Sequence, residues 1–132
     1  MIRKSNLQKK RDNQFSTYWR NRADKEVTKY YTGLPCAICG TTHNTCGHHI
    51  VPREVPVFRH DPENLIPLCE KHHKYSNDLA PHSSNILAQE AFAQWLRIER
   101  PKAIELLETY KKYKGVKSDY QQAYEEWVKR NL

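Results

Sequence analysis

The sequence predicts an α+β protein that is mostly helical, with a small irregular core between N-terminal and C-terminal helices. Three observations lead to this prediction. Apolar residues recur at helical spacing near both ends of the chain. The middle, residues 34–80, holds most of the prolines, which argue against long helices there. The same middle is rich in cysteine and histidine, and a metal site is one way for a small irregular fold to be held together.

Length and composition limit the class of protein. The 132 residues are enough for one domain with a modest core. No stretch is long and apolar enough to cross a bilayer, and the basic N-terminus lacks the apolar region of a secretory signal. We therefore expect a cytoplasmic protein with no membrane partner. In that compartment the four cysteines stay reduced, which favours metal binding or catalysis over disulfides.

The positive charge is concentrated at one end. Residues 1–33 carry +6, residues 34–80 carry −1 and residues 81–132 carry +2 of the net +7. Aromatic residues lie among the N-terminal cations, at Phe15, Tyr18, Trp19, Tyr30 and Tyr31. This mixture suits nucleic-acid binding, although a solvated helix with its aromatics packed on the domain has the same pattern. Lys9, Lys10 and Arg11 are the candidates to hold DNA phosphates here.

Helical patterns fall in the outer segments. A first helix is predicted over residues 13–31. Residues 84–132 predict three more: one ends before Pro101, one ends near Gly115, and one starts at a capping box formed by Ser118 and Gln121. The aromatic residues of the last helix, such as Trp127, are expected to pack in the core.

Two Cys/His pairs predict a structural zinc site. Cys36 and Cys39 form a C-x2-C pair, and Cys69 and His72 form a C-x2-H pair. Together they supply the four ligands of tetrahedral zinc. A thioredoxin-like redox site is the other interpretation of the first pair, but no βαβ pattern surrounds it. Cys46 could replace His72 as fourth ligand, although the paired spacing favours His72.

The segment GHHIVPR, between the two pairs, suggests a second site. His48 and His49 are adjacent in it, and the neighbours His72 and His73 point about 100° apart on a predicted helix. If His72 turns to the zinc, His73 faces elsewhere, with Asn77 one turn further along the same face. A second site can therefore combine His73 with one of the adjacent histidines, and Asn77 is a further candidate for it. The other histidines lie in polar loops and are expected to be exposed: His43, His60 and His82.

Residues 36–77 resemble the HNH endonuclease family, which has the ββα-metal fold. The shared features are the two Cys/His pairs, the GHHIVP step, the asparagine of ENL, and LCEKHH. The resemblance implies that His48 is a metal ligand, His49 is the general base and Asn64 braces that base. It also implies that His73 and Asn77 complete the ligands of one catalytic divalent ion, Mg²⁺, Mn²⁺ or Ni²⁺, beside the structural Zn²⁺.

The predicted activity is the hydrolysis of DNA phosphodiester bonds. Adjacent residues of an extended segment point to opposite sides, so His48 can face an ion while His49 reaches a water molecule. Neutral imidazole is a suitable base near pH 7. Arg53 and Lys74 are candidates for phosphate contacts, with ordinary surface charges as the other interpretation.

A looser resemblance bears on the substrate. The order of LPCAICG, the GH step, the second pair and a helical tail is similar to phage recombination endonucleases of the NinG/Rap type. That similarity implies branched or nicked DNA as substrate, in a bacterial or phage-infected cell. The alternative function is a non-catalytic, zinc-stabilised nucleic-acid-binding module. Such a module needs the two Cys/His pairs but not the set His48, His49, Asn64 and His73.

Overall fold

The structure, a computed structural model, describes residues 3–132. The helices are α1 (Asn6–Arg11), α2 (Thr17–Tyr31), α3 (Ile86–Glu99), α4 (Pro101–Thr109) and α5 (Tyr120–Arg130). The strands β1 (Thr45–His49) and β2 (Leu65–Cys69) form one antiparallel sheet, and a short helical turn, Lys71–Tyr75, follows β2. Short 3-10 turns lie at Pro56–Phe58, Pro62–Asn64 and Tyr110–Tyr113. Helices hold 55% of the residues, which confirms a mostly helical α+β protein.

Within residues 3–132, no helix combines the length and the apolar character needed to cross a bilayer.

The two-stranded sheet is buried on both faces. Its register runs from Thr45 opposite Cys69 to His49 opposite Leu65. Because side chains alternate along a strand, Leu65 and Ile66 point to opposite faces, yet both are almost completely buried. A sheet of this kind needs a cover of helices on each side.

Helices α2 and α5 cover the first face. Val27 and Tyr31 of α2 and Trp127 of α5 pack with Leu65 in one apolar cluster. Gly47 of β1 lies on the same face, where a Cβ would be 3.0 Å from the Tyr31 ring. Glycine at this position therefore lets α2 lie directly against the strand. The N-terminal and C-terminal segments thus share one helical layer.

Helices α3 and α4 cover the second face. Phe92, Leu96 and Ala103 pack with Ile66 in a second apolar cluster, which also contains Leu68, Cys36 and Cys69. His48 lies on this face too, edge-on to the Phe92 ring with centroids 5.8 Å apart. His49, one residue later, belongs to the face covered by α2. The sheet therefore sends the two adjacent histidines toward different helical layers.

Some predicted element boundaries are confirmed and others are wrong. Helix α3 ends at Glu99, before Pro101 as predicted, and Trp127 of α5 is buried. The predicted capping box is wrong by one residue, since Asp119 caps α5 by accepting from the Gln122 N–H. Helix α1 was not predicted, because all its residues are exposed and leave no apolar stripe.

Candidate metal centres and active site

Cys36, Cys39, Cys69 and His72 come together as the sequence predicts. Their ligand atoms all lie within 4.8 Å of one another, with Cys39 Sγ 3.7 Å from Cys69 Sγ and Cys69 Sγ 3.3 Å from His72 Nδ1. In a tetrahedral zinc site with Zn–S bonds of about 2.3 Å, neighbouring sulfurs are about 3.7–3.8 Å apart. The donor set and its spacing can thus bind a metal such as zinc. The redox interpretation of the first pair has no support in this arrangement.

Local hydrogen bonds shape the first pair into a metal-binding turn. The Gly40 N–H donates to the Cys36 carbonyl at 2.9 Å, and Gly40 has a φ of 77°, which favours glycine. The Ala37 N–H donates to the Pro67 carbonyl at 2.9 Å, which ties the turn to β2. Cys46, the alternative fourth ligand, lies outside this cluster, and its Sγ is 3.7 Å from His73 Nδ1.

A second cluster consists of three histidines: His48, His73 and His82. Their ligand nitrogens also lie within 4.8 Å of one another, and the ring centroids are 4.8–5.1 Å apart. His48 comes from β1, His73 from the turn after β2, and His82 from the loop before α3. Three imidazoles in such proximity are a donor set for a divalent transition metal.

The third residue of this cluster is His82, whereas the sequence predicted Asn77 on a helix face shared with His73. The helical turn after β2 ends at Tyr75, because Ser76 has an extended ψ of 134° and its Oγ accepts from the Asp78 and Leu79 N–H groups. Asn77 is therefore not on a helix face with His73. The returning chain instead places His82 there, with its N–H donating to the His73 carbonyl at 3.0 Å. His82 is an exposed loop residue, as predicted, but its ring lies beside those of His48 and His73. The prediction that His60 is exposed was wrong, since His60 is buried against Asp24.

Burial keeps His48 and His73 neutral. Burial, and to a smaller degree the neighbouring histidines, lowers the pKa of His48 to about 3. Burial, followed by the neighbouring His82 and Lys74, lowers the pKa of His73 to about 4. Neutral imidazole is the form that offers a lone pair to a metal ion. At neutral pH the rings of His48 and His73 can therefore act as metal ligands without first losing a proton.

The ring of His49 is fixed by one hydrogen bond. Its Nε2 lies 2.9 Å from the Arg59 carbonyl oxygen, which can only accept, so Nε2 carries the proton. Nδ1 is then left as the basic nitrogen. Burial lowers the pKa of His49 below its ordinary value, so this ring is also neutral near pH 7.

Asn64 holds the loop that carries the Arg59 carbonyl. It is completely buried, and its Oδ1 accepts from the Val51 N–H at 2.6 Å. Its Nδ2 donates to the carbonyls of Val51, at 3.1 Å, and Phe58, at 2.9 Å. The Asn64 side chain therefore binds the loop between β1 and Arg59 near both of its ends. Asn64 therefore acts on His49 at a distance, through the loop.

One cavity of about 800 Å³ joins the two histidine sites. His48, His49, His73 and His82 all line it, and so does Arg53. Lys74 does not line this cavity, but it lines a neighbouring shallow groove together with His73, Cys46 and Glu70. Of the two predicted phosphate contacts, Arg53 therefore lies on the cavity wall and Lys74 lies in the groove on the other side of His73.

The N-terminal candidates Lys9, Lys10 and Arg11 lie on α1 with their side chains exposed. The backbone of this helix is attached to α2, since Trp19 Nε1 donates to the Arg11 carbonyl at 3.0 Å and Ser16 Oγ to the Lys10 carbonyl at 2.7 Å. Lys9, Lys10 and Arg11 are therefore exposed on a helix that packs beside α2. They precede the residues of both clusters by more than 20 positions in the sequence.

Comparison of the chain with protein-family models, with curated proteins and with solved structures finds no match. Function is therefore inferred from the geometry of the two clusters and of the His49 ring.

The three-histidine cluster gives a direct test of its membership. Replacing His82 with Ala should weaken Ni²⁺ or Mn²⁺ binding to the zinc-loaded protein, whereas Asn77→Ala should leave it unchanged. Losing a residue that only hydrogen-bonds to a metal ligand costs about 10- to 100-fold in metal affinity. Loss of His82, a direct ligand, should therefore lower the affinity by at least that factor. Isothermal titration calorimetry measures both variants. A larger loss for Asn77→Ala than for His82→Ala would restore the original assignment.

Proposed function

We propose that the protein is a metal-dependent endonuclease of the HNH type that hydrolyses DNA phosphodiester bonds. His49 is the general base, and His48, His73 and His82 hold one divalent ion. The observation that supports this most strongly is the pairing of an oriented, neutral His49 with a three-histidine cluster in one cavity. The proposal differs from the sequence prediction in its third ligand.

The chain supplies the groups that such a hydrolysis needs. His49 Nδ1 takes a proton from a water molecule while the water oxygen bonds to phosphorus and the bond from phosphorus to the leaving oxygen breaks. A bound divalent ion would stabilise the negative charge that develops on the phosphate and the leaving oxygen. The Arg59 carbonyl keeps the ring of His49 in the required tautomer, and Asn64 holds the preceding part of the loop through the Val51 and Phe58 backbone. Arg53 is the cation on the cavity wall that can contact a phosphate.

A non-catalytic zinc module explains less of the structure. Such a module needs only the cluster of Cys36, Cys39, Cys69 and His72. It does not require a second cluster of three histidines, nor a fourth histidine whose proton is fixed on one nitrogen. The gathering of these four histidines on one cavity wall favours a metal-dependent reaction.

Plasmid cleavage separates the two functions. Supercoiled DNA is incubated with the zinc-loaded protein and Mg²⁺, Mn²⁺ or Ni²⁺, with chelator present in a parallel reaction. We expect nicked or linear product with at least one ion and none with chelator. His43→Ala is the matched control, since His43 is exposed and belongs to neither cluster, and it should cut like the wild type. Retained DNA binding with no cleavage under any ion would establish the non-catalytic module.

The basic N-terminal segment is proposed to hold the duplex. Residues 34–80 carry a charge of −1, so the long-range attraction for DNA must come from the flanking segments. Arg22 of α2 lies between the rings of Tyr18 and Tyr124, 5.2 Å from each centroid, which continues the cationic surface toward α5. The helical layer of α1, α2 and α5 therefore binds the duplex, and one strand is cleaved at the cavity.

Salt dependence of binding tests this surface. Replacing Lys9, Lys10 and Arg11 together with Gln keeps α1 and its backbone contacts to α2, which deletion of residues 1–12 would remove. DNA affinity should fall, and the slope of log K against log salt should flatten by up to about 2.7, since each neutralised phosphate contributes about 0.9. Cleavage of the saturated complex should be nearly intact. Fluorescence anisotropy at several salt concentrations measures both quantities. An unchanged affinity and slope would assign DNA binding to the C-terminal helices instead.

A further inference from the structure

The side chain of Arg59 is anchored to helix α2. Its Nε and one terminal nitrogen donate to the two carboxylate oxygens of Asp24 at 2.9 and 2.6 Å. Its other terminal nitrogen donates to the Arg53 carbonyl at 3.3 Å. The Arg59 side chain is 9% exposed, so the pair is screened from solvent on the arginine side. A two-pronged contact of this type fixes both the position and the plane of the guanidinium group.

The next residue is held by the same carboxylate. His60 Nε2 lies 2.7 Å from Asp24 Oδ1 and donates to it, while the His60 carbonyl accepts from Trp127 Nε1 at 2.8 Å. Asp24 belongs to α2 and Trp127 to α5. The two residues on either side of the Arg59–His60 peptide bond are therefore tied to both helices of the layer that covers this face.

That peptide bond carries the carbonyl that orients His49. Asn64 binds Val51 and Phe58, on the near side of the loop, and makes no hydrogen bond to Arg59 or His60 among the described residues. The direction of the Arg59 carbonyl is set instead by the two side chains that Asp24 holds. A rotation of this peptide would remove the acceptor from His49 Nε2.

We propose that Asp24 is a positioning residue for the nuclease reaction: through Arg59 and His60 it fixes the peptide whose carbonyl keeps His49 in the Nε2–H form. The inference rests on the proposed function of His49 as base. It assigns to α2 a part in the reaction that is separate from any DNA contact. An aspartate that only ties α2 to the loop would support folding but would leave the ring of His49 unaffected.

Two variants weaken the anchor while retaining side-chain size. Asp24→Asn removes the charge and one of the two acceptors, and Arg59→Lys keeps the cation but loses the two-pronged contact. Glu63→Gln is the control, since it neutralises a carboxylate of the same loop whose one ion pair within residues 3–132 is with Lys102, at 3.5 Å, with both side chains exposed. All three are made in the full-length, zinc-loaded protein.

Two readouts are compared. Nitrogen-15 NMR of the His49 ring, without catalytic ion, should show a single Nε2–H form in the wild type and in Glu63→Gln. Asp24→Asn and Arg59→Lys should show mixed tautomers. Single-turnover cleavage should slow by about 10- to 100-fold in both variants, as for other partners that orient a functional histidine, with KM unchanged. In the double variant the loss should not exceed that of the more severe single variant.

The outcomes decide the inference independently of the proposed function. An unchanged His49 tautomer in Asp24→Asn would overturn it, whether or not the protein cuts DNA. So would a change in KM alone, which would make Asp24 a substrate-binding residue, or losses that multiply in the double variant. If Asp24→Asn does not fold, Arg59→Lys decides by the same two readouts. A wild type that cuts no DNA, with tautomers shifted as expected, would reject the nuclease while keeping the positioning contact.

Discussion

Replacing His49 with Ala should reduce DNA cleavage by about 10²- to 10⁴-fold, the usual cost of losing a general base. The variant should fold, keep its zinc and bind DNA like the wild type. The physical reason is specific to the site: the Arg59 carbonyl holds the proton on His49 Nε2, so Nδ1 is the basic nitrogen of a ring that lines the same cavity as the three-histidine cluster. Single-turnover cleavage at saturating protein measures the chemical step apart from DNA binding.

Two comparisons make the His49 result interpretable. His43→Ala removes an exposed histidine outside both clusters and should cut at the wild-type rate. His48→Ala should also lose cleavage, but for a different reason, namely loss of an ion ligand, so high ion concentration should restore part of its activity. High ion concentration should not restore His49→Ala. Near-wild-type cleavage by His49→Ala would show that the roles of the adjacent histidines are misassigned.

Replacing Cys69 with Ser should remove the bound zinc and abolish cooperative folding. Structural zinc contributes about 10–16 kcal/mol in small domains, which equals or exceeds the whole stability of a typical protein, about 5–15 kcal/mol. Cys69 ends β2 and lies in the apolar cluster with Ile66 and Phe92, so losing the metal also loosens the sheet and α3. Elemental analysis and thermal melts followed by circular dichroism measure zinc content and folding.

The matched control for the zinc prediction is Cys46→Ser. Cys46 is exposed and lies outside the Cys36, Cys39, Cys69 and His72 cluster, so this variant should keep one zinc per chain and its melting transition. A strong chelator should remove the zinc from the wild type and abolish its cooperative folding, as is expected for Cys69→Ser. A folded, active preparation that contains no zinc would contradict a structural role for the metal.

The parts of the site that were predictable are local in sequence. Two ligands three residues apart occupy one tight turn, so the C-x2-C and C-x2-H pairs identify the zinc cluster almost independently of the fold. Asn64 was identified by resemblance to a known motif. In the structure it is completely buried and binds the loop that carries the Arg59 carbonyl. Alternation along a strand correctly separates His48 from His49.

The remaining features depend on contacts that no local pattern encodes. His82 lies nine residues beyond His73, a spacing that fits no usual ligand motif, and its only signal was the histidine itself. Asn77 was misplaced because the sequence has no proline or glycine to end the helix, whereas Ser76 ends it with side-chain bonds to the following backbone. Asp24 and Arg59 are 35 residues apart and meet only when α2 covers the sheet.

The dependence of cleavage on added ion tests the central claim most directly. Zinc-loaded wild type and His73→Ala are compared in single-turnover cleavage of the same plasmid over a range of Mn²⁺ concentrations. The proposed site predicts no cleavage by the wild type before Mn²⁺ is added and saturating cleavage afterwards. It predicts that His73→Ala, with its zinc retained, requires a much higher Mn²⁺ concentration. Identical Mn²⁺ dependence in the two proteins would contradict a catalytic ion at His48, His73 and His82.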